Sequence, residues 1–357
     1  MNEPLVSVVM VACNVDRFLA ESIESVLGQS FRDFEFIIVD FGSTDRSKSI
    51  ISSYAAIDSR IKFHEIPNCV LPAARNMSCS LAQGRYIAVM DADDICLPDR
   101  LRLEVAFMEE HPEIGLVGGA VVWVDAADRQ LGLHAHPSGD QEIRSALVER
   151  CTFWHPTVLL RKEAFTLAGG YRTAFVFAHD YDLELRVVEH FKCANLKVAV
   201  LKYRIHPYQV TLREHRAQTL CKLAAQISAS SRRGHEPDPL NACQEITPAL
   251  LAGLGVDEHI LQNALASDCH NWVRSMIIAN EYDAALKAAI DLLHSDLKYV
   301  EKWRVADICL IIAGLRWRRR EFSQCMKSAI QAVRVRPKVL GRPLRPWLQR
   351  IGLIQAN

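Results

Sequence analysis

No C-x-x-C pair occurs in this chain of 357 residues, although it holds 11 cysteines. Without paired spacing there is no thioredoxin-like redox motif and no zinc ribbon. An odd, dispersed set reads as reduced core thiols of a cytosolic, or cytoplasmic, protein. Net charge is also missing: 42 Lys and Arg stand against 42 Asp and Glu, so the chain as a whole is not built to gather a polyanion. No apolar run is long enough to cross a bilayer; the one near the end, 305–315, is about half the length a spanning helix needs. The opening MNEPLVSVVMVACN lacks a basic n-region and its apolar run is of strand length, so no secretory signal is expected. A Gly-rich phosphate loop is absent after that first run, where Cys13-Asn14-Val15-Asp16 stands instead. A nucleotidyltransferase would want glycines and a basic residue there.

What is present is alternation. Apolar, β-branched runs at 5–13, 35–40, 61–66, 86–91 and 115–125 read as strands, and between them lie helical patterns such as Leu19, Ile23 and Val26. A second helix is expected to open on the cap Ser43-Thr44-Asp45, a third covers 72–83, and a fourth carries Leu101, Val105 and Met108 on one face. Such alternation implies an α/β fold, a largely parallel sheet flanked by helices, with ligands bound beyond the carboxyl ends of the strands. Asn14, Asp40 and Asp91 fall at such ends. A strand at 155–160 and a helix from about 180 to 191 follow, then another strand around 195–206.

From about 211 the strand signal stops. NEYDAALKAAI (280–290) and REFSQCMKSAI (320–330) repeat at an offset of 40, each after another apolar helix pattern. This suggests two helical-hairpin repeats of the tetratricopeptide kind in an all-α C-terminal region. The expected division is 1–212 and 213–357. Residues 301–357 hold 13 Lys and Arg against 3 Asp and Glu, so the rest is acidic and no nucleic-acid partner is expected. The basic end can face a protein partner or the inner face of an anionic membrane as a peripheral contact, or simply be a solvated face.

The densest chemistry lies in YIAVMDADDICLPDRL (86–101). Alternate residues of an extended chain share a face, so Asp91 and Asp93 can hold one target. Two close carboxylates repel unless a cation sits between them, and Mg²⁺ or Mn²⁺ bridging to a diphosphate suits oxygen donors. A solvated acidic turn before the helix at Pro98 is the plainer alternative.

Taken in order, VSVVMVACN, ESIESVLGQSFRDFEFIIVDFGSTD, AARN, YIAVMDADD, HPTVLLRKEAF…GGY and HDYDLELRV resemble a family 2 glycosyltransferase of the GT-A fold, a Rossmann-like nucleotide-diphospho-sugar transferase, over roughly residues 5–210. The resemblance implies an inverting, metal-dependent transfer from a nucleotide-diphosphate sugar donor to a glycan or lipid-linked acceptor, in surface polysaccharide or glycoconjugate synthesis. It places the D-x-D at Asp91-Ala92-Asp93, with Asp93 on the metal and Asp91 near metal and ribose. It also places Cys13, Asn14, Asp40 and Phe41 at the base, Arg75 on the nucleotide, Asp180 as the catalytic base, and His206 toward the metal or diphosphate. Trp154, His155 and His179 are the candidates for acceptor contact or for support of the base. A carboxylate such as Asp180 at a helix start is favoured as an anion by about 0.3–1 kcal/mol. A plain helix-end charge is the alternative there, and a surface arginine is the alternative for Arg75.

Departures from the pattern matter. The family commonly has Asp where Phe41 stands and Tyr where Cys13 stands. One ring is lost and another gained, so Phe41 either stacks on the base or packs inward, leaving Asp40 or backbone to read it. His179 replaces a common Glu and can orient Asp180 or tune it at pH about 6.5. No Q-x-x-R-W follows Asp180, unlike the membrane polysaccharide synthases. A catalytically inactive nucleotide-sugar binder or scaffold, recruiting partners through the helical tail, is the rival reading.

Overall fold

A computed structural model describes residues 3–207, 209, 214–295 and 297–338. The expected boundary at 212/213 and the basic positions beyond 338 lie outside them. Two compact units form. Met1–Val124, Gly132–Arg204 and Cys221–Ile246 make the first; Asp125–Leu131, Ile205–Leu220 and Thr247–Asn357 make the second.

The first unit is built on the β-branched runs. β1 (Val6–Ala12), β2 (Phe34–Asp40), β3 (Ile61–Glu65) and β4 (Tyr86–Asp91) lie in the order β3-β2-β1-β4, all parallel. Every residue of β1 and β2 is buried, as expected of strands covered on both faces. The connections are α1 (Asp16–Leu27), α2 (Ser47–Ile57) and α3 (Leu71–Leu81). On α1, Leu19, Ile23 and Val26 at i, i+4 and i+7 meet the sheet core, each burial worth about 1.5–3 kcal/mol.

Beyond β4 the sheet turns mixed. β5 (Ile95–Cys96), β6 (Ile114–Asp125), β7 (Gln130–His134), β8 (Leu159–Arg161) and β9 (Lys192–Ile205) continue it as β4-β8-β6-β9-β5, with β7 paired to β6. β8 runs antiparallel to β4 and β6, and β5 antiparallel to β9. Four helices accompany this half: α4 (Arg100–Glu110), α5 (Asp140–Leu147), α6 (Lys162–Leu167) and α7 (His179–Val187).

Two local expectations need correction. α2 begins at Ser47, not at the Ser43-Thr44-Asp45 cap, because Ser43 and Thr44 bond Asn14; Asp45 Oδ1 then accepts from the Ser47 N–H at 2.9 Å. The strand expected over 155–160 starts only at Leu159. Pro156 has no N–H to give a ladder, and the Thr157 N–H and hydroxyl both bond the Trp154 carbonyl at 2.8 Å, closing a 3₁₀ turn over His155–Thr157.

Further along, α8 (His215–Arg233) is followed by α9 (Pro248–Gly253), α10 (Glu258–Ile278), α11 (Tyr282–His294), α12 (Lys302–Arg318) and α13 (Phe322–Val335). The internal echo has a structural counterpart. Asn280 and Arg320 both take left-handed φ, 63° and 61°, and the next residues, Glu281 and Glu321, close the same joint with N–H bonds to Met276 O and Arg316 O. Ala266, Val305, Ala306, Cys309 and Ala332 form a core of the second unit, so the 305–315 run is packed protein interior. Among the described residues no helix is long and apolar enough to cross a membrane.

Candidate active site

Strand order and register bring the expected positions to one edge. Ala12 pairs with Asp40, and Val11 with Asp91, so the ends of β2, β1 and β4 stand level. The chain order reverses beside β1, which is where an open α/β sheet leaves a crevice. Asn14 turns the chain there with φ 54°, a conformation Asn tolerates. Its Oδ1 accepts from the Thr44 N–H and hydroxyl at 2.9 and 3.1 Å, and its own N–H donates to Ser43 Oγ at 3.0 Å. Asp40 is fully buried, and its Oδ1 accepts from the Gly42 and Ser43 N–H groups, both at 3.0 Å. The Cys13 thiol is pushed up by burial and then by the charges of Asp40 and Asp45, so it stays protonated.

The Asp91-Ala92-Asp93-Asp94 turn is held from two sides. From α1, Ser22 Oγ donates to the carbonyls of Ala92 and Asp94 at 2.9 and 2.6 Å. From β9, Arg204 gives its N–H to Asp94 Oδ1 at 2.7 Å and its Nε to the Asp93 carbonyl at 2.9 Å, while Nη2 reaches Glu21 at 2.7 Å. Asp94 is buried, and its carboxyl is raised well above the usual range by burial and then by the charges of Asp93 and Asp91.

Arg75 joins this turn to the start of α7. The guanidinium is buried; Nη2 pairs with Asp91 Oδ1 at 2.5 Å and Nε donates to His179 Nε2 at 3.1 Å. The surface alternative for this arginine is therefore excluded. The His179 imidazole is pushed down to about 3, by burial first and then by the Arg75 charge. It stays neutral and does not titrate near pH 6.5, which removes the pH-tuning role. Asp180, next in sequence, is half-exposed in the first turn of α7, and Ala178 before the helix is forced to φ 52°. That strain sits beside the expected base.

Tyr171 packs edge-on to His155 and His179 at ring distances of 5.9 and 5.4 Å. Asn76 of A-A-R-N locks it in place, accepting from the Tyr171 N–H at 2.8 Å and donating to its carbonyl at 2.7 Å. Gly170, at φ 68°, has to be glycine, since a Cβ would lie 2.9 Å from Asn76 Oδ1.

The model of "Glycosyl transferase family 2" matches residues 7–167. EpsE of Bacillus subtilis, which carries a glycosyltransferase assignment, is 38% identical over 207 residues, 56% of this chain and 73% of EpsE. The chain belongs to glycosyl transferase family 2. A second relative, the O-antigen biosynthesis glycosyltransferase WbnJ of Escherichia coli, is 29% identical over 206 residues, 57% of this chain and 80% of WbnJ. Among solved structures, the mannosyltransferase PcManGT of Pyrobaculum calidifontis, in complex with GDP-Man and Mn²⁺, superposes with a TM-score of 0.53. At 17% identity, covering 93% of this chain and 88% of that one, it shows the shared GT-A fold.

In this family 2 glycosyltransferase the structure gathers Cys13, Asn14, Asp40, Phe41, Asp91, Ala92 and Asp93 on the crevice edge, and Arg75, His179 and Asp180 beside it. His206 falls in the second unit, where Gln209 Oε1 meets its backbone N–H at 3.4 Å. Asp91 and Asp93 supply oxygen donors of the type a hard divalent ion takes. Among the described residues no group of three or more His, Cys, Asp or Glu side chains is placed to hold an ion alone. The pair supplies part of the oxygen set that Mg²⁺ or Mn²⁺ takes. Sequence reasoning missed Arg204, Asp94 and Tyr203; the Y-R-I-H stretch held two of them, but only the β5–β9 pairing brings it to the D-x-D turn.

Proposed function

We propose that this glycosyltransferase moves a sugar from a nucleotide-diphosphate donor to an acceptor hydroxyl with inversion, using Mg²⁺ or Mn²⁺, in the synthesis of a surface polysaccharide or glycoconjugate. The observation that carries the proposal is the Arg75 bridge. One buried guanidinium ties Asp91, at the donor edge, to His179, which directly precedes Asp180.

On this reading the base lies over β1 and β2 by Cys13, Asn14, Asp40 and Phe41, with Arg75, Asp91 and Ala92 at the ribose and phosphates. Asp93, assisted by Asp91, would hold the ion, which would supply positive charge to offset that of the leaving diphosphate. Asp180 accepts the acceptor hydroxyl's proton as that oxygen attacks C1 from the face opposite the leaving group. His179, neutral and fixed by Arg75, positions the residue after it. His155, whose imidazole is held well below its ordinary value by burial and then by Arg75, stays uncharged beside the base. The relatives' glycosyltransferase names and the GDP-Man and Mn²⁺ in PcManGT support the reaction class. We propose residues 1–212 as the catalytic domain and the basic helical end as a peripheral contact to a membrane-borne acceptor on the cytoplasmic side, or to a protein.

The test is calorimetric titration of UDP, GDP, ADP and dTDP with and without Mn²⁺, on wild type and Asp93→Ala. Metal-dependent binding lost in the variant is expected. Absence of binding by folded protein refutes the donor site and leaves the scaffold reading. The anomeric configuration of the transferred sugar, read by NMR coupling, decides inversion.

A further inference from the structure

Five rings run without a break away from the carboxylates. Tyr203 on β9 stands between Lys202, which pairs with Ile95, and Arg204, whose N–H bonds Asp94 Oδ1 at 2.7 Å, so it lies at the D-x-D turn. Trp154 lies 5.2 Å from it, centroid to centroid; His136 follows at 4.8 Å from Trp154, and Trp123 at 5.9 Å, edge to face. His134 stacks flat on Trp123 at 3.8 Å and 19°.

All five are half-buried, and Trp123, Trp154 and Tyr203 pack against the sheet core, so each is backed by protein and keeps part of its surface in solvent. Both indole nitrogens are shielded from solvent, so the indole surface that reaches water is carbon. Asn195 fixes the segments that carry the rings. Its Nδ2 donates to the Pro137 and Thr152 carbonyls at 2.8 and 2.9 Å, and its N–H to the Ser138 carbonyl at 3.1 Å.

This is uncharged aromatic surface with two imidazoles at its rim, ending on a cluster of carboxylates. The five rings themselves carry no cation for a phosphate or uronate to pair with. A neutral pyranose matches instead: its axial C–H face is apolar and faintly positive against the negative ring faces, and its hydroxyls can bond the imidazoles. We propose that Trp123, His134, His136, Trp154 and Tyr203 seat the terminal neutral sugar of the acceptor, with its hydroxyl toward Asp180. The proposal rests on the glycosyltransferase reading above and names the acceptor's chemical class. Burial holds both imidazoles below their ordinary value, and at His136, held at about 4, the nearby charge of Arg150 adds to it, so both rings stay uncharged at neutral pH.

The experiment is saturation-transfer NMR on the full chain with Mn²⁺ and the tightest-binding nucleoside diphosphate. The probes are methyl β-D-glucopyranoside, methyl β-D-galactopyranoside, methyl α-D-mannopyranoside and, as anionic control, a methyl glucuronide. Transfer to ring C–H protons of at least one neutral glycoside is expected. It should fall about fivefold in Trp123→Ala and persist in Trp123→Phe, with nucleotide affinity unchanged. If Trp123→Ala does not fold, His136→Ala on the adjoining loop is required to lower the transfer as well. Transfer that survives these variants, transfer only to the glucuronide, or none to any glycoside from nucleotide-binding protein overturns the proposal. Failure to bind nucleotide refutes the donor site instead, and the glycoside result still decides the seat separately.

Discussion

Replacing Arg75 by glutamine tests the centre of the site. The wild-type guanidinium is buried between Asp91 and His179, 3.1 Å from the imidazole Nε2. Glutamine keeps a donor of shorter reach and loses the charge. A charge-assisted bond of this kind is worth about 1.5–3 kcal/mol, and the neutral bond to His179 about 1 kcal/mol. The Asp91 side chain keeps 27% of its surface in solvent, which pulls the first figure to its low end. The two bonds share one residue and do not add fully, so a loss of about 2 kcal/mol is expected in urea denaturation followed by circular dichroism. Mn²⁺ would compete for the same carboxylate, so it should recover part of that loss in Arg75→Gln and stabilise wild type less. The imidazole gives a second readout. Burial is the first cause of the His179 depression and Arg75 the second, so in the variant its pKa should rise from about 3 yet remain below 6.5 by NMR titration. An unchanged unfolding midpoint, or a wild-type His179 that titrates at its ordinary value, would refute the bridge.

Asp180→Asn should keep Mn²⁺-dependent nucleotide binding while kcat falls about 10²–10⁴-fold, measured by sugar transfer; retained turnover removes Asp180 as the base. Acid should destabilise the first unit through His179. Its folded pKa is depressed from 6.5 to about 3, so its contribution is full above 6.5 and is lost as pH falls through that window. The loss by pH 5 should be about 2 kcal/mol, and His179→Gln should flatten that part of the stability profile in denaturant titrations run from pH 7 to pH 5.

The strands were legible because β-branched apolar runs of the right length leave little choice, and Asp40 and Asp91 were legible as sites because they end such runs. The second half of the sheet was less so. β7 has a largely exposed, mixed sequence, and the 155–160 segment reads as a strand until Pro156 and the Thr157 hydroxyl are considered. The pairings that organise the site are the least local facts in the chain. Arg75 and His179 are 104 positions apart, and Arg204 and Asp94 are 110. No propensity or spacing rule joins residues that far apart; strand order does. The helical echo is the opposite case: two joints 40 residues apart repeat the same dihedrals because short-range sequence determines them.

Phe41 follows directly on β2. Its N–H donates to the Ala12 carbonyl at 3.1 Å, so the β1–β2 ladder continues one residue past Asp40. Asp40 is fully buried, while Phe41, in the bend that follows β2, is half-buried. The residue keeps part of its surface in solvent at the crevice edge. Asp40 spends Oδ1 on the Gly42 and Ser43 N–H groups, and its Oδ2 is buried with no hydrogen-bond partner among the described residues. On the proposed reading the base meets a ring where the family commonly offers a carboxylate. Stacking is worth about 1–3 kcal/mol for any base, whereas a hydrogen-bonding site rejects wrong partners by about 10⁴–10⁵. Phe41→Ala should then weaken UDP, GDP and ADP binding alike, by about tenfold or more, in the calorimetric titration. Phe41→Asp should weaken purine nucleotides further while sparing UDP, whose ring N–H a carboxylate can accept. A Phe41→Ala variant that loses one nucleotide and keeps the others would mean that the ring belongs to a shaped, selective pocket, and the stacking account would fall.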